Sequence, residues 1–449
     1  MVPAPPMSAA ADPGPPSESP VRGGGDRRSD TLTRLLPLAW LLGAVSAAVA
    51  LVGGVTQATH RQLDIAVYLM GAHHLVDGRL YLASLQPAPH LPFTYPPFAA
   101  LVFVPLTLLG LEAARVLWSV VNVAALFALL WLSIRAAWAG LAPARRSLVA
   151  LVLMAPAYWI EPVHLTFAFG QVNIVLAALV LADLTGTVGL EGHTVPRGFL
   201  VGVAAAIKLV PLVFVPYLFL TRQTRAAWFS LGTFVACSAV SAAFDPRVAW
   251  SYWTRYAFDA KRVGGVFYIS NQSLRAVADR LDHRVVSTAA VTLASGVVLV
   301  AGLLLAAWAY RSSSPLLGIL VCATTGLLVS PITWAHHLVW VVPVLAWLIW
   351  AEDRPAFGRI WAVAGAALFW WAPIWNVPDV PEQELAEHGW QLVAGNSFFL
   401  AMVVFMVGVT VLLAVRRHRG RAWAGPDGRS PDPVDRTSAP QLSGTVAPG

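Results

Sequence analysis

Side chains that could do chemistry gather just after the first long apolar run. The segment HRQLDIAVYLMGAHHLVDGRLY, residues 60–81, contains Asp64, a second aspartate and the adjacent pair His73 and His74. An aspartate in a partly desolvated site can act as a general base, because burial raises the pKa of a carboxyl towards working pH. We expect Asp64 to take this role. A solvated loop carboxylate, or an N-cap for a helix that begins near Ile65, is the structural alternative.

A lysine interrupts a later apolar run, VGVAAAIKLVPLVFVPYLF, residues 201–219. We expect one helix over residues 197–220, with Lys208 near its middle. An ionisable residue at that depth in a membrane indicates a functional site, because placing a charge there is costly. Snorkelling of the ammonium group to the interface is the alternative. Lys208 is therefore predicted to bind an anionic part of a substrate.

A second pair of adjacent histidines lies in LLVSPITWAHHLVWVVPVL, residues 327–345. The 40 residues from 312 to 351 contain no Asp, Glu, Lys or Arg, yet His336 and His337 stand among them. A single core histidine is usually satisfied by one hydrogen bond, but an adjacent pair at a helix break after Pro331 favours a site. We predict that one or both are catalytic.

Other polar side chains near predicted helix ends are candidate contacts for the donor phosphate or another part of the substrate. They are Tyr68 and His74 after the first helix, Tyr95 in LPFTYPPFAALVF, Gln171 and Asn173 in FGQVNIVLAALVLADL, and Asn271, Gln272 and Arg275 in YISNQSLRAV. Amides at a helix end can instead cap it or hydrogen-bond between helices. The last three residues can equally belong to an ordinary polar loop.

The four paired histidines raise the question of a metal site. Adjacent histidines point to different faces of a helix, and no outer Asp-x-Asp or Glu-x-x-His pattern accompanies them. We therefore expect no metal. The sequence also contains no Gly-rich nucleotide loop and no Walker or Rossmann pattern, so we expect no cofactor and no nucleotide-sugar donor. Cys237 and Cys322 both lie in apolar stretches, where a disulfide framework is not indicated.

Composition identifies an integral membrane protein. Of the 449 residues, 57% are hydrophobic and 12% are charged, against about 25% charged in a soluble domain. The net charge of +7 comes from arginines in short clusters between apolar runs and in the tails. Orientation in the membrane explains such clusters better than nucleic-acid binding does, so no nucleic-acid partner is expected.

The chain is predicted to form one transmembrane domain, residues 34–417, between tails at 1–33 and 418–449. The tails are rich in Pro, Gly, Ser and charge and are expected to be disordered. Twelve apolar helices are predicted at 35–55, 96–110, 113–138, 147–160, 171–187, 197–220, 226–244, 285–310, 315–331, 337–351, 358–376 and 394–415. With an even number of membrane-spanning helices, the arginine clusters place both termini in the cytoplasm.

One group of arginines does not fit this count of twelve helices. The twelve-helix count would put Arg135, Arg145 and Arg146 on the outer side of the membrane. We therefore expect a re-entrant or half-spanning helix within residues 96–160, and the topology of this region stays open. The predicted outer segments are 56–95, 245–284, 331–336 and 377–393. Because unusual polar residues gather in these segments, we predict an all-α polytopic membrane protein with an outward-facing cavity and an amphipathic first outer loop.

Several quoted motifs, taken in order, resemble glycosyltransferase family 87. They are LDIAVYLMGAHHLVDGRLY, LPFTYPPFAALVF, FGQVNIVLAALVLADL, AAAIKLVPLVFVPYLF, NQSL and SPITWAHHLVWVVP. This is an actinobacterial family of polyprenyl-phosphate-mannose-dependent α-1,2-mannosyltransferases in the GT-C superfamily, and the resemblance runs from about residue 35 to 417. It implies a GT-C bundle, an acidic base in the first outer loop, here Asp64, and a functional histidine, His336 or His337.

The resemblance also implies the partners and the place of the reaction. The donor would be a polyprenyl-phosphate-linked sugar and the acceptor a mannosylated glycolipid or envelope glycan, joined in the cell membrane on its outer side. A transfer with one inversion at the anomeric carbon needs only one carboxylate, which acts as the base. Lys208 with a histidine, or more weakly Arg275, would hold the leaving phosphate.

Two alternatives stay open from the residues. A secondary transporter or lipid flippase would use Asp64, Lys208 and the histidine pair as a substrate or proton path, although the internal repeats typical of transporters are not evident. A transferase could also use another lipid-linked sugar, such as arabinofuranose.

Overall fold

The computed structural model describes residues 26–59, 62–86, 90–186, 189–190, 193–281, 287–379 and 383–423. The α-helices in these residues are α1 (Asp26–Ala58), α2 (Leu63–His73), α3 (Pro97–Phe103), α4 (Leu111–Ala137), α5 (Pro143–Val152), α6 (Met154–Tyr158), α7 (Glu161–Phe169), α8 (Asn173–Leu184), α9 (Phe199–Ile207), α10 (Phe214–Leu220), α11 (Thr224–Phe244), α12 (Pro246–Thr254), α13 (Leu274–Leu281), α14 (Thr288–Ser312), α15 (Pro315–Val329), α16 (Val341–Trp350), α17 (Gly358–Trp371), α18 (Trp390–Gly395) and α19 (Ser397–Trp423). Short 3-10 helices cover Val104–Leu108, Val210–Val213, Tyr256–Phe258, Ala260–Val263, Ala335–Trp340, Pro373–Asn376 and Gln383–Ala386.

Within the described ranges the architecture is helical apart from one two-stranded antiparallel ribbon, β1 (Gly189–Leu190) and β2 (His193–Thr194). This confirms the predicted class, an α-helical membrane protein. Most of the predicted tails, 1–33 and 418–449, lies outside the described residues. The first described helix begins at Asp26 and the last ends at Trp423.

Five described helices are long and apolar enough to cross a bilayer. They are Leu36–Ala58 within α1, then α4, α11 and α14, and Ser397–Arg419 within α19. The pair α7 and α8 forms a sixth only if it is counted as one span, because it is bent by 120°. The other apolar helices are shorter than the about 20 residues that a full span needs. The prediction of twelve spans therefore stays a prediction.

The prediction of a single helix over 197–220 is wrong, because the helix is interrupted at Lys208. Helix α9 ends at Ile207, and Lys208 has extended backbone angles, φ −148° and ψ 131°. Pro211 accounts for the break, since a proline ring clashes with the carbonyl group four residues earlier in a helix. Lys208 thus lies at the end of a helix and not in the middle of one.

A second break separates α7 from α8. Helix α7, which the hydrophobic pattern did not predict, ends at Gly170 with a left-handed φ of 70°. Glycine suits this position because a side chain there would be strained. A Cβ on Gly170 would also lie 3.0 Å from the Ile65 side chain. The break places Gln171 between the two inclined helices and Asn173 at the first position of α8.

A third irregular stretch precedes α16. The predicted helix over 337–351 begins instead as the 3-10 helix Ala335–Trp340, so both histidines of the late pair lie in this tighter turn. The side chain of Asn173 donates to the His336 carbonyl at 3.1 Å and ties this turn to the second break. Irregular backbone at membrane depth is tolerated only where protein buries it or where it lines a cavity.

Arg135, Arg145 and Arg146 belong to residues 96–160, the region whose topology the sequence left open. They lie at the end of the helix bundle where α1 begins. Gly43, near the middle of α1, faces Leu151, and the guanidinium of Arg146 lies 4.9 Å from the Trp131 ring. Further along α1, Gly54 faces Val123 near the middle of α4. Helix α4 therefore runs antiparallel to α1. The segment before it, Pro97–Leu108, is too short to form a complete span.

Candidate active site

Asp64 lies in the first turn of α2, and the start of that helix is firmly held. Gln62, the residue just before the helix, is fully buried. Its Nε2 donates to the Phe167 carbonyl at 2.7 Å and to Ser119 Oγ at 3.1 Å. Gln62 occupies the N-cap position, so Asp64 is not the cap. The Asp64 carboxyl is left facing a cavity.

That cavity, which we call the reaction cavity, has a volume of about 240 Å³. It is lined by Leu63, Asp64, Val67, Leu91, Pro92, Thr94, Tyr95, Phe169, Gln171, Arg262, Val263, Tyr268, Ser270, Trp334 and His336. The first predicted catalytic residue and one of the late histidines therefore face the same space, although about 270 residues separate them in the sequence.

A network of amide and phenol groups adjoins the reaction cavity, and its members Tyr95 and Gln171 line that cavity. The Tyr68 hydroxyl donates to Gln171 Oε1 at 3.0 Å and lies 3.2 Å from the Tyr95 hydroxyl. Gln171 Nε2 donates to the Tyr95 hydroxyl at 3.3 Å, and Asn173 Nδ2 donates to Gln171 Oε1 at 3.3 Å. Four predicted substrate contacts thus meet in one hydrogen-bonded group.

Lys208 joins this group from the other side. Its Nζ donates to Asn173 Oδ1 at 2.9 Å and lies 2.9 Å from His337 Nε2. The ammonium also lies 5.6 Å from the centre of the Tyr95 ring. Within the part of the chain that the structure describes, Lys208 forms no ion pair. This half-buried ammonium, whose charge also interacts with that of Asp64, is suited to bind an anion.

His336 faces the reaction cavity with its ring unsatisfied. The residue is 5% exposed, and neither Nδ1 nor Nε2 has a hydrogen-bond partner among the described residues. Its ring packs edge-on against Phe169 and His337, at centroid distances of 5.5 Å and 4.8 Å. Buried polar atoms are nearly always paired, so a ligand atom is the natural partner for this ring.

Burial raises the pKa of the Asp64 carboxyl from its ordinary value of 3.8 to about 6. A hydrogen bond from Gln171 and the charge of Lys208 act in the opposite direction and limit the rise. A carboxyl with this pKa is mostly ionised at neutral pH and still basic enough to take a proton. This pKa is compatible with the general-base role predicted for Asp64, which stays a prediction.

The shifted pKa predicts an acid limb in the rate. Only the ionised carboxylate accepts a proton, so kcat/KM is expected to fall as the pH drops below about 6. The fall should be roughly tenfold per pH unit, as for one titrating base. Initial rates between pH 5 and 8 measure it. A flat profile in that range would contradict the assignment, and the residual activity of Asp64→Asn should lack the limb.

Four predicted contacts lie away from the reaction cavity. His74 bonds Asp77 at 2.7 Å at the far end of α2, and Arg275 pairs with Asp279 at 3.0 Å. None of His74, Arg275, Asn271 and Gln272 lines the reaction cavity. A phosphate contact by Arg275 or a substrate contact by His74 stays a prediction that this geometry does not support.

Asn271 and Gln272 are fully buried, and their amides serve the protein backbone. Asn271 Nδ2 donates to the carbonyls of Val266 and Pro331, and its Oδ1 accepts from the Thr333 amide. Gln272 bonds backbone atoms of three other residues in the same manner. These bonds indicate that the pair holds the loop before His336 in place. Direct substrate contact by the pair stays a prediction.

Other residues of the reaction cavity were not singled out from the sequence as site residues. They are the apolar and aromatic side chains of Phe169, Tyr268 and Trp334, the hydroxyl of Ser270 and the guanidinium of Arg262. Within the described residues, no group of three or more His, Cys, Asp or Glu side chains is placed to hold a metal ion.

The Asp64 carboxyl faces the reaction cavity, and Lys208 is connected to the cavity wall through Asn173 and Gln171. This arrangement suits a membrane enzyme that transfers a group from a phosphate. The chain belongs to glycosyltransferase family 87, whose family model matches residues 93–331. This confirms the resemblance carried by the sequence motifs, and the protein is a membrane-embedded glycosyltransferase. The matched residues include Lys208 and exclude Asp64 and the late histidine pair.

Relatives of known function cover more of the chain. A Mycobacterium tuberculosis protein named polyprenol-phosphate-mannose-dependent alpha-(1-2)-phosphatidylinositol mannoside mannosyltransferase is 33% identical over 384 residues, 80% of this chain and 88% of its own. Another from the same species, named for phosphatidylinositol pentamannoside, is 38% identical over 315 residues, 69% of each chain. A Mycolicibacterium smegmatis relative with the first name is 32% identical over 398 residues, 80% of this chain and 86% of its own. No solved structure matches this chain.

Proposed function

We propose that the protein transfers mannose from polyprenyl-phosphate mannose to a mannosylated lipid and forms an α-1,2 linkage with inversion at the sugar. The names of its relatives supply the donor, acceptor and linkage. The observation that carries the proposal is the hydrogen-bonded chain that joins Lys208 through Asn173 to Gln171 beside the Asp64 carboxyl. This connection supports the assignment of a base and a cation to one reaction centre.

The proposed reaction is a single displacement. The acceptor hydroxyl attacks the anomeric carbon of a β-linked donor, and its proton passes to the Asp64 carboxylate. The bond between the anomeric carbon and the phosphate oxygen breaks, and both of its electrons leave with polyprenyl phosphate. One new α-linked glycosidic bond forms. One carboxylate is sufficient, because the departing phosphate needs no proton.

The leaving phosphate needs positive charge and hydrogen-bond donors instead. Lys208 supplies the charge, and a partly desolvated site makes such stabilisation stronger than it is in water. Two apolar residues, Phe214 and Trp340, line a small groove that also contains Lys208 and His337. This groove suits the first isoprene units of the donor, with the phosphate at its polar end.

The proposed geometry assigns different roles to the two histidines. His337 contacts Lys208 Nζ and so positions the ammonium group. His336 faces the reaction cavity with both ring nitrogens unpaired among the described residues. We assign His336 to the sugar or the phosphate of the donor and His337 to orienting Lys208.

We also propose that the reaction cavity opens to the outer side of the membrane and that both ends of the described chain lie in the cytoplasm. Arg416, near the end of α19, donates to the Asp353 carbonyl at 2.8 Å. Trp350, just before that loop, stacks on Trp138 at 6.4 Å, at the same end as Arg146. Arginines gathered at one end support a cytoplasmic location for that end.

A transfer assay tests the proposed function. Purified protein in lipid vesicles is given polyprenyl-phosphate mannose and a mannosylated lipid acceptor, with polyprenyl-phosphate arabinofuranose as the alternative donor. We expect mannosyl transfer and a strong preference for the mannose donor. Transfer of arabinofuranose alone would contradict the donor assignment. No transfer from either donor, together with movement of the lipid-linked sugar across the vesicle membrane, would favour a flippase.

A further inference from the structure

A second cavity, with a volume of about 500 Å³, lies beside the reaction cavity. The segment after α2 forms one wall and the beginning of α12 forms the other. Its polar and aromatic lining includes Asp77, Tyr81, Asp245, Ser251 and Tyr256. None of these residues belongs to the catalytic arrangement described above, so this cavity needs an explanation of its own.

A single layer of side chains separates the two cavities. Arg262, which lines the reaction cavity, donates from Nη2 to the Tyr81 carbonyl at 2.7 Å. Its guanidinium also lies 4.5 Å from the centre of the Tyr256 ring. Tyr81 in turn donates from its hydroxyl to the Tyr95 carbonyl at 2.8 Å. A ligand that occupies both cavities would therefore have to displace the Arg262 side chain.

The lining of the second cavity has the chemistry of a saccharide site. Asp245 uses Oδ1 to accept from two amides of α12, and it forms no ion pair among the described residues. An ionised carboxylate offers about four acceptor positions, so Asp245 retains capacity for sugar hydroxyls. The Tyr256 ring is half-buried at the cavity wall and packs 4.9 Å from the Tyr81 ring, which is only 3% exposed and supports it from behind. Arg247 also lines the cavity, so carboxylate, guanidinium and hydroxyl groups together are available to a hydroxyl-rich ligand.

The rim of the second cavity is apolar and exposed. Val76 and Leu82 line the cavity edge and are 64% and 73% exposed, and Trp250 on α12 is 72% exposed. Tryptophan is enriched where a membrane protein meets the water–lipid interface. These side chains suit insertion at the membrane surface, so the ligand would enter from the leaflet.

We propose that the second cavity is an acceptor subsite, which binds the internal sugars of a lipid-anchored oligomannoside while its terminal mannose lies in the reaction cavity. This rests on the proposed function, since it assigns part of the same acceptor. It predicts that the enzyme selects acceptors by glycan length through residues remote from the reacting atoms.

Blocking the second cavity tests the subsite. Ser251→Trp places a large ring in it, and Thr254→Trp is the matched control, because Thr254 is exposed on the same helix and does not line the cavity. Each is assayed with a lipid-anchored oligomannoside and with octyl α-mannoside. We expect Ser251→Trp to raise the KM for the oligomannoside by about tenfold or more, equivalent to about 1.4 kcal/mol or more. Transfer to octyl mannoside, and both reactions of the control, should change by less than about twofold.

Asp245→Asn is the second variant, because asparagine retains the helix cap and removes only the charge. It should raise the same KM selectively. Unchanged kinetics in both variants, or an equal loss with both acceptors, would overturn the subsite. Binding of the oligomannoside to wild type and Ser251→Trp is measured in parallel in nanodiscs. If wild type transfers to neither acceptor, the proposed function fails, while weaker binding by Ser251→Trp would still support the subsite and equal binding would overturn it.

Discussion

Asp64→Asn is expected to lower kcat by roughly 10²- to 10⁴-fold, the usual contribution of a general base. Asparagine has nearly the same shape and keeps a hydrogen-bonding group near Gln171, but it cannot accept the proton of the acceptor hydroxyl. The KM values for donor and acceptor should change little, because the substrates still fit the cavity. Initial rates at saturating donor and acceptor measure the effect.

The matched control for this variant is Asp259→Asn. Asp259 is an exposed aspartate that lines neither cavity. Its variant should retain the wild-type kcat. If Asp64→Asn also retained the wild-type kcat with its fold intact, Asp64 would serve only as an acidic residue in the first turn of α2, where a helix dipole favours a carboxylate.

Lys208→Met should have the second largest effect. Methionine keeps most of the side-chain length and removes the charge that faces the leaving phosphate. We expect kcat to fall by roughly 10²- to 10³-fold, as when one preorganised group that stabilises developing charge is lost. The KM for the donor should rise as well, because the donor phosphate is already anionic before transfer. Steady-state rates against donor concentration separate the two effects.

Arg275→Gln is the matched control for the cation. Arg275 was predicted from the sequence as a weaker candidate for the same role, but it pairs with Asp279 away from the reaction cavity. Its variant should keep kcat within about twofold of wild type, as expected for a change remote from the site. A large loss in Arg275→Gln together with normal rates in Lys208→Met would reverse the assignment.

Much of the candidate site could be predicted because its polar residues stand in apolar surroundings. Asp64, Lys208, His336, Gln171 and Asn173 come from separate parts of the chain and meet around one centre. A polar group is costly inside a membrane protein unless it is used. This cost makes such residues visible in a sequence before any contact between them is known.

The helix breaks were harder to predict, because hydropathy is insensitive to them. The residues around Lys208 are apolar on both sides, so they appear as one span, and only Pro211 indicates where the helix must stop. Gly170 likewise ends α7 through its positive φ. These two breaks bring the polar side chains together, and hence the positions of the residues could be predicted better than their backbone conformation.

Polar residues in loops gave the least reliable predictions of function. Asn271 and Gln272 have the side chains of a sugar site, yet their amides satisfy buried backbone groups. Arg262 does line the reaction cavity, but nothing in the neighbouring sequence distinguishes it from the other arginines of residues 245–284. Contacts between distant segments decide these roles, and such contacts leave no local pattern in the sequence.

The anomeric configuration of the product is the most direct test of the central claim. Wild-type protein is given β-linked polyprenyl-phosphate mannose labelled with carbon-13 at the anomeric carbon, and the one-bond carbon–proton coupling of the product is measured by NMR. A single displacement assisted by Asp64 predicts an α-linked product. A β-linked product would require retention and would contradict the mechanism built on one carboxylate and a cation.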